Sequence, residues 1–222
     1  MPINPEYNKK IHHITHYSNL AKIIQVDHLY SGNALAERGI APTNIGHMTL
    51  KQYRAQRSID VHSEKTLNDC VPFFFTTRPP MLIAISRGSV ADDYGGPQRE
   101  IIYLVSSIEK IVDSHCQWCF TDGHAVEQLT HYYDDLENLR EINWAVIEDW
   151  DFRPTADIPD KQRRKQAEFL VYDSVPWSCI ESVTVMDRDM QTSVQEIILS
   201  SHSSHRPNVY INRNWYHNPR RH

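Results

Sequence analysis

The chain has 222 residues, enough for one domain with a sizeable core and too few for a multidomain assembly. It is 40% hydrophobic, 10% aromatic and 23% charged with only 7 glycines, which excludes a disordered, fibrous or low-complexity polymer. The net charge of −5, from 28 acidic and 23 basic residues, means that contact with a polyanion must come from a local patch and not from the overall field.

The opening residues carry Pro2, Glu6, Lys9 and Lys10 where a secretory leader needs an apolar stretch of about 7 to 15 residues, so no leader is expected. Residues 1–10 read as a flexible N-terminus. Ile11 to Thr15 reads as a short strand, and Ser18 as the cap of a helical stretch whose apolar positions Leu20, Ile23 and Ile24 recur at helical spacing. The stretch Thr43 to Arg57 is a loop or short helix that carries Arg54 and Arg57. Val71 to Phe75 is a buried strand and Leu82 to Ser86 a strand or helix, with a turn at Pro79-Pro80 between them. Neither apolar run approaches the roughly 18 residues that cross a bilayer, so no transmembrane helix is expected.

Glu100 to Ser106 is the strongest strand signal, rich in β-branched residues, and Phe169 to Tyr172 and Ser182 to Met186 are of the same kind. Leu129, Tyr132, Tyr133, Leu136 and Leu139 recur at spacings of three and four, which predicts a helix over Ala125 to Trp150. A last helix is expected over Val194 to Ser200 and a strand over Asn208 to Asn212, before a flexible tail at 217–222. Strands and helices interleave without strict βαβ alternation, which argues for a single α+β domain over residues 11–216 with a mixed or antiparallel sheet. Neither G-x-G-x-x-G nor a P-loop is present, which removes Rossmann and kinase readings.

Four cysteines are scattered at Cys70, Cys116, Cys119 and Cys179 in a chain that needs no disulfide staples, so a reducing cytoplasm is the expected compartment. Cys116 and Cys119 form one C-x-x-C with no second pair at finger spacing, and ordinary half-buried thiols compete with a zinc site. Lys161, Arg163, Arg164 and Lys165 make one basic window behind a strongly acidic stretch; it is either a solvated helix face or the wall of a site. Glu168 follows that window at the entry of an apolar strand. It either faces a cleft or pairs with Arg163 or Arg164 at the surface. His13 and His16 either meet a ligand or are half-buried and hydrogen-bonded.

Several motifs occur in a fixed order: His13-Ile14-Thr15-His16-Tyr17-Ser18-Asn19-Leu20, Tyr53-Arg54, Asp69-Cys70-Val71-Pro72-Phe73-Phe74-Phe75, Arg78-Pro79-Pro80-Met81, Tyr103-Leu104-Val105-Ser106-Ser107, Phe120-Thr121-Asp122-Gly123-His124 and Gln166-Ala167-Glu168-Phe169-Leu170. Together they resemble the DarT family of DNA ADP-ribosyltransferase toxins. The resemblance implies an ADP-ribosyltransferase fold related to the poly-ADP-ribose polymerases, with a split, mostly antiparallel sheet, flanking helices and a cleft for NAD+. It implies no metal. It also implies transfer of ADP-ribose from NAD+ to a base of single-stranded DNA, thymine commonly and guanine in one branch, and a DarG macrodomain antitoxin as partner of a monomeric toxin. An RNA or protein acceptor, or a non-catalytic nucleic-acid-binding module, is the alternative.

By the same resemblance Glu168 is the catalytic glutamate, Arg54 the catalytic-loop arginine, and His13, Ile14 and Thr15 the strand that contacts NAD+. DNA binding falls to Thr76, Thr77, Arg78, Met81, His124, Arg163, Arg164 and Lys165, with Trp150 and Phe152 either stacking on bases or packing at a helix end. The chain departs from the family pattern at Tyr53, where Arg is usual, at Cys70, and at Phe74, where members carry Tyr. With Arg57 three residues beyond Arg54, the sequence leaves open which arginine works.

Overall fold

The computed structural model describes residues 5–90 and 93–217. In chain order the strands are β1 (Lys10–His16), β2 (His28–Tyr30), β3 (Ser58–Ile59), β4 (His62–Thr66), β5 (Cys70–Phe74), β6 (Ile101–Ser107), β7 (Trp118–Thr121), β8 (Tyr132–Tyr133), β9 (Glu168–Tyr172), β10 (Ser174–Pro176), β11 (Ser182–Val185) and β12 (Asn208–Ile211). The helices are α1 (Leu20–Gln25), α2 (Gly32–Glu37), α3 (Met48–Gln56), α4 (Pro80–Ser86), α5 (Ile108–Asp113), α6 (Trp144–Glu148), α7 (Lys161–Arg164) and α8 (Arg188–Ser200).

Eight strands form one sheet in the order β12-β11-β6-β1-β5-β9-β7-β8, and β2/β10 and β3/β4 form two small ribbons. Every pair in the large sheet is antiparallel except β11 with β12. The split lies at its centre. β1 pairs with β6 along seven residues but with β5 only at His12 opposite Phe74, so the two half-sheets part after one rung. Two imidazoles meet carbonyls of β5 there: His12 Nδ1 lies 3.2 Å from the Phe74 carbonyl and His13 Nδ1 2.8 Å from that of Pro72. A carbonyl only accepts, so both Nδ1 atoms carry the proton.

The core follows from the apolar strands. All seven residues of β6 are buried, Ile102 and Leu104 facing one cluster with Phe73, Phe120 and Phe169, and Ile101, Tyr103 and Val105 facing another with Leu82 and Ile85 of α4. α8 lays Met190, Val194 and Ile198, four residues apart, on the first cluster.

Several expectations change here. The region Ala125 to Trp150 is not one helix but β8, a 3-10 turn over Leu136–Glu141 and α6. Asp135 and Asn143 cap these short pieces with their side chains, a local bond that competes with continued helix. Ser18 does not cap α1: Asn19 takes that position, and the Ser18 hydroxyl meets His16 Nδ1 at 2.7 Å and Thr43 Oγ1 at 2.9 Å. Leu82 to Ser86 is helical because Pro80 opens α4, where a missing N–H costs nothing. The last helix begins at Arg188, six residues before the expected start, capped by Asp187. Of the termini assigned as flexible, residues 1–4 and 218–222 lie outside the described residues; within 1–10, Pro5–Asn8 form a 3-10 turn.

Candidate active site

A cavity of about 730 Å³ opens where the half-sheets part, lined among others by His13, Ile14, Thr15, Arg54, Phe74 and Glu168. Glu168 is the first residue of β9, paired with Phe74, and it is only 2% exposed. The alternation of β9 sends Phe169 and Val171 into the main core and leaves Glu168 at the cavity end of the strand. Its partner is Arg54 from α3, not the neighbouring arginines. Arg54 Nη1 donates to both carboxylate oxygens, at 3.0 and 3.4 Å, and the Ala125 N–H donates to Oε1 at 3.2 Å. Arg54 Nη2 is buried and has no hydrogen-bond partner among the described residues, a donor left for something that enters the cavity.

Arg57 points elsewhere. It ends α3, meets Asp60 at 3.4 Å and lies over the Tyr132 ring with its guanidinium carbon 5.6 Å from the centroid. His16 also leaves the site and pairs with Glu100 at 3.2 Å. Cys116 and Cys119 do not converge: Cys116 has Cys179 as its hydrogen-bond neighbour, and Cys119 Sγ accepts from the Tyr172 hydroxyl at 3.4 Å. Among the described residues, no group of three or more His, Cys, Asp or Glu is placed to hold a metal ion, and no helix is long and apolar enough to cross a membrane.

Burial pushes His13 down to about 4 and His12 to the same value, against the pull of their carbonyl partners, so both are neutral at pH 7. With Nδ1 protonated, His13 has Nε2 as an acceptor. In the unfolded chain both take up protons near the ordinary value of about 6.5. Their contribution to stability is therefore complete above about pH 6.5 and lost as pH falls towards 4. Tm should drop by more than about 5 °C between pH 7 and pH 5. His12→Gln should flatten that slope; a slope identical to the native one would contradict the assignment.

The basic window is mostly turned inward, which corrects the strand-contact assignment of Arg163 and Lys165. Arg163 donates to Asp122 at 3.0 Å and Asp160 at 2.8 Å. It passes so close to Gly123 that a Cβ there would lie 2.4 Å from Nη1 and 3.0 Å from Cγ, so a larger residue at 123 would displace this guanidinium. Lys165 is 2% exposed and its ammonium donates to the carbonyls of Ile147 and Asp149. Arg164 uses Nε on Asp160 at 2.8 Å and remains about one-third exposed. Thr76 is likewise buried, its hydroxyl accepting from the Arg78 N–H at 3.2 Å, so it shapes the loop instead of touching a strand. Met81 and His124 line the cavity, and burial lowers the His124 imidazole against the opposing pull of Glu168.

Lys51 was not singled out from the sequence. It stands one helical turn before Arg54 and lines the same cavity, and the i, i+3 spacing of two cations was the available signal. The Ala125 N–H, a backbone group, gave none.

A family model described as "ssDNA thymidine ADP-ribosyltransferase, DarT" matches residues 12–217. A DNA ADP-ribosyl transferase of Thermus aquaticus is 36% identical over 212 residues, covering 95% of this chain and 90% of that protein. The structure of Thermus sp. 2.9 DarT in complex with ADP-ribosylated ssDNA superposes with a TM-score of 0.85 at 31% identity, over 95% of this chain and 97% of that one. The same protein in complex with NAD+ gives 0.82 at 32% identity, over 96% and 99%.

Proposed function

The chain belongs to the DarT family, and from that premise we propose that it transfers ADP-ribose from NAD+ to a base of single-stranded DNA, with thymine as the first acceptor and guanine the second. The observation that carries this reading is a buried carboxylate, Glu168, held by Arg54 and the Ala125 N–H at the mouth of a split sheet. The cavity fits the dinucleotide by its volume and by the unpartnered Nη2 of Arg54, a guanidinium donor suited to a diphosphate. His13, Ile14 and Thr15 of β1 line the same cavity and are the proposed NAD+ contacts.

Loss of nicotinamide leaves positive charge on the ribose carbon and ring oxygen. The carboxylate of Glu168 stabilises that charge where it develops. The attacking base must also give up a proton: a thymine N3–H, with a pKa of roughly 9 to 10, is as weak an acid as tyrosine and needs a base within reach. Glu168 accepts that proton as the new bond from nitrogen to the ribose carbon forms and nicotinamide departs with the bonding pair. Arg54, fixed on Glu168 by Nη1, keeps the carboxylate in one orientation.

The strand is proposed to lie along Thr77, Arg78 and Met81, with His124 near the acceptor base and Arg164 on the phosphates. A replication-blocking toxin countered by a DarG-type macrodomain partner fits the family resemblance, as does a monomer acting in the cytoplasm. With labelled NAD+ and equal amounts of single-stranded DNA, duplex DNA, RNA and protein, label should enter single-stranded DNA at least about tenfold faster than any other acceptor. Labelling of RNA or protein instead would overturn the acceptor class.

A further inference from the structure

A second cavity, of about 370 Å³, adjoins the first, within the range of roughly 300–1,000 Å³ of small-molecule sites. Residues near one another in the chain line the two. Phe74 lines the first and Phe75 the second; Gln166 lines the first and Lys165 the second; Met81 lines the first and Arg78 the second. A chain that places one unit at Glu168 and continues past the ends of β5 and β9 therefore meets the second cavity next.

The chemistry of its walls suits a nucleobase. Trp150 is 63% exposed, and the Arg78 guanidinium carbon lies 4.4 Å from its ring centroid, so a cation fixes the indole while much of its surface stays open. Arg78 is itself held by a 2.7 Å hydrogen bond from Nη2 to His217 Nδ1, and its Nε is buried without a hydrogen-bond partner among the described residues. The Lys165 ammonium fastens the turn that leads to Trp150. The nearby acids each have a cation beside them, Glu148 with Lys9 at 3.0 Å and Asp149 with Lys161 at 2.6 Å, which reduces their repulsion of a phosphodiester. Asn212 and Asn214 also line it: the Asn212 Oδ1 accepts from the Asn214 N–H at 3.1 Å, while the Asn214 side-chain amide can both donate to and accept from a base edge. The Asn212–Trp215 segment makes one wall. That wall is tied to the Thr77 loop by the Tyr103 hydroxyl, 2.8 Å from the Thr77 carbonyl and 3.1 Å from that of Trp215.

We propose that this second cavity holds the base of the nucleotide adjoining the modified one on the same DNA strand, with Trp150 as its stacking platform and Asn214 as the reader of its edge. The assignment rests on single-stranded DNA being the acceptor. It makes the cavity a source of sequence preference at a position where no chemistry occurs.

The test compares the native protein, Trp150→Ala, Trp150→Phe and Asn214→Ala on a random single-stranded oligonucleotide pool, with NAD+ affinity and DNA affinity measured separately. Trp150→Ala should raise the KM for DNA by about 5- to 150-fold, the effect of one lost base stack, and leave NAD+ affinity unchanged. Trp150→Phe should recover most of that loss. Asn214→Ala should relax the preference at one position beside the modified base by about fivefold or more. Native KM and native sequence preference in both alanine variants, with DNA still labelled, would overturn the pocket alone. If the native protein neither labels nor binds single-stranded DNA, the acceptor assignment falls and takes the pocket with it.

Discussion

Replacing Glu168 with Gln is expected to lower ADP-ribose transfer to single-stranded DNA by at least about 10³-fold while the protein stays folded. The amide keeps the volume of the side chain and an oxygen for the Ala125 N–H, so the 2% exposed site is neither overpacked nor hollowed. What it loses is the charge that opposes the developing ribose cation and the oxygen pair that takes the proton from the base. Each of these contributes on the order of 10²- to 10³-fold or more in enzymes that use them. Arg54 then lacks an ionic partner, but it lines a cavity open to solvent and rehydrates, so the cost in stability stays well below that of breaking a fully enclosed pair. NAD+ at 100 times its Kd should still protect the variant by about 2.7 kcal/mol, as it does the native protein. Retention of a tenth or more of native activity would remove Glu168 from the chemistry. Loss of NAD+ protection together with activity would make it a binding residue only.

Arg54→Ala should lower kcat/KM by about 10² to 10³, and Arg57→Ala by less than about tenfold. The two are three residues apart at the end of α3, yet geometry separates them. Arg54 meets Glu168 at 3.0 Å and lines the cavity with Nη2 unpartnered among the described residues, while Arg57 is not among the cavity-lining residues and turns to Asp60 and the Tyr132 ring. Removing Arg54 deprives the carboxylate of its fixed orientation and the dinucleotide of a donor, two losses that fall on the same step. Arg57→Ala should instead show as a lower Tm, from the lost packing on Tyr132. Equal activity losses in both would mean that the arginine assignment is wrong. Steady-state kinetics on one oligonucleotide with both variants decides it.

Much of the frame was legible in the chain. Strands such as β6 and β9 are short runs of β-branched and aromatic residues with no competing helical pattern. The stretch after Ala125 misled because its apolar residues fall three and four apart by coincidence; Leu129 is 76% exposed, and polar caps cut the segment into pieces. Glu168 at the entry of β9 was visible as a carboxylate in an unusual place, and the family motifs named its role. Its bond to Arg54 was not visible, because the two lie 114 residues apart and no local rule couples them. The basic window shows the opposite failure. Arg163 looked available to phosphate because the sequence does not show Asp122, 41 residues away, folded against it. The second cavity was hidden for the same reason: it joins Arg78, Trp150 and Asn214, three segments that share no pattern along the chain.

The most direct measurement is mass spectrometry of a random single-stranded oligonucleotide pool after incubation with NAD+ and either the native protein or Glu168→Gln. The native protein should leave one ADP-ribose covalently on a base within a recurring sequence context, with free nicotinamide released in equal amount, and the variant should leave none. An ADP-ribose found on phosphate, sugar or the protein itself, or equal products from both proteins, would contradict the placement of Glu168 between the dinucleotide and the base.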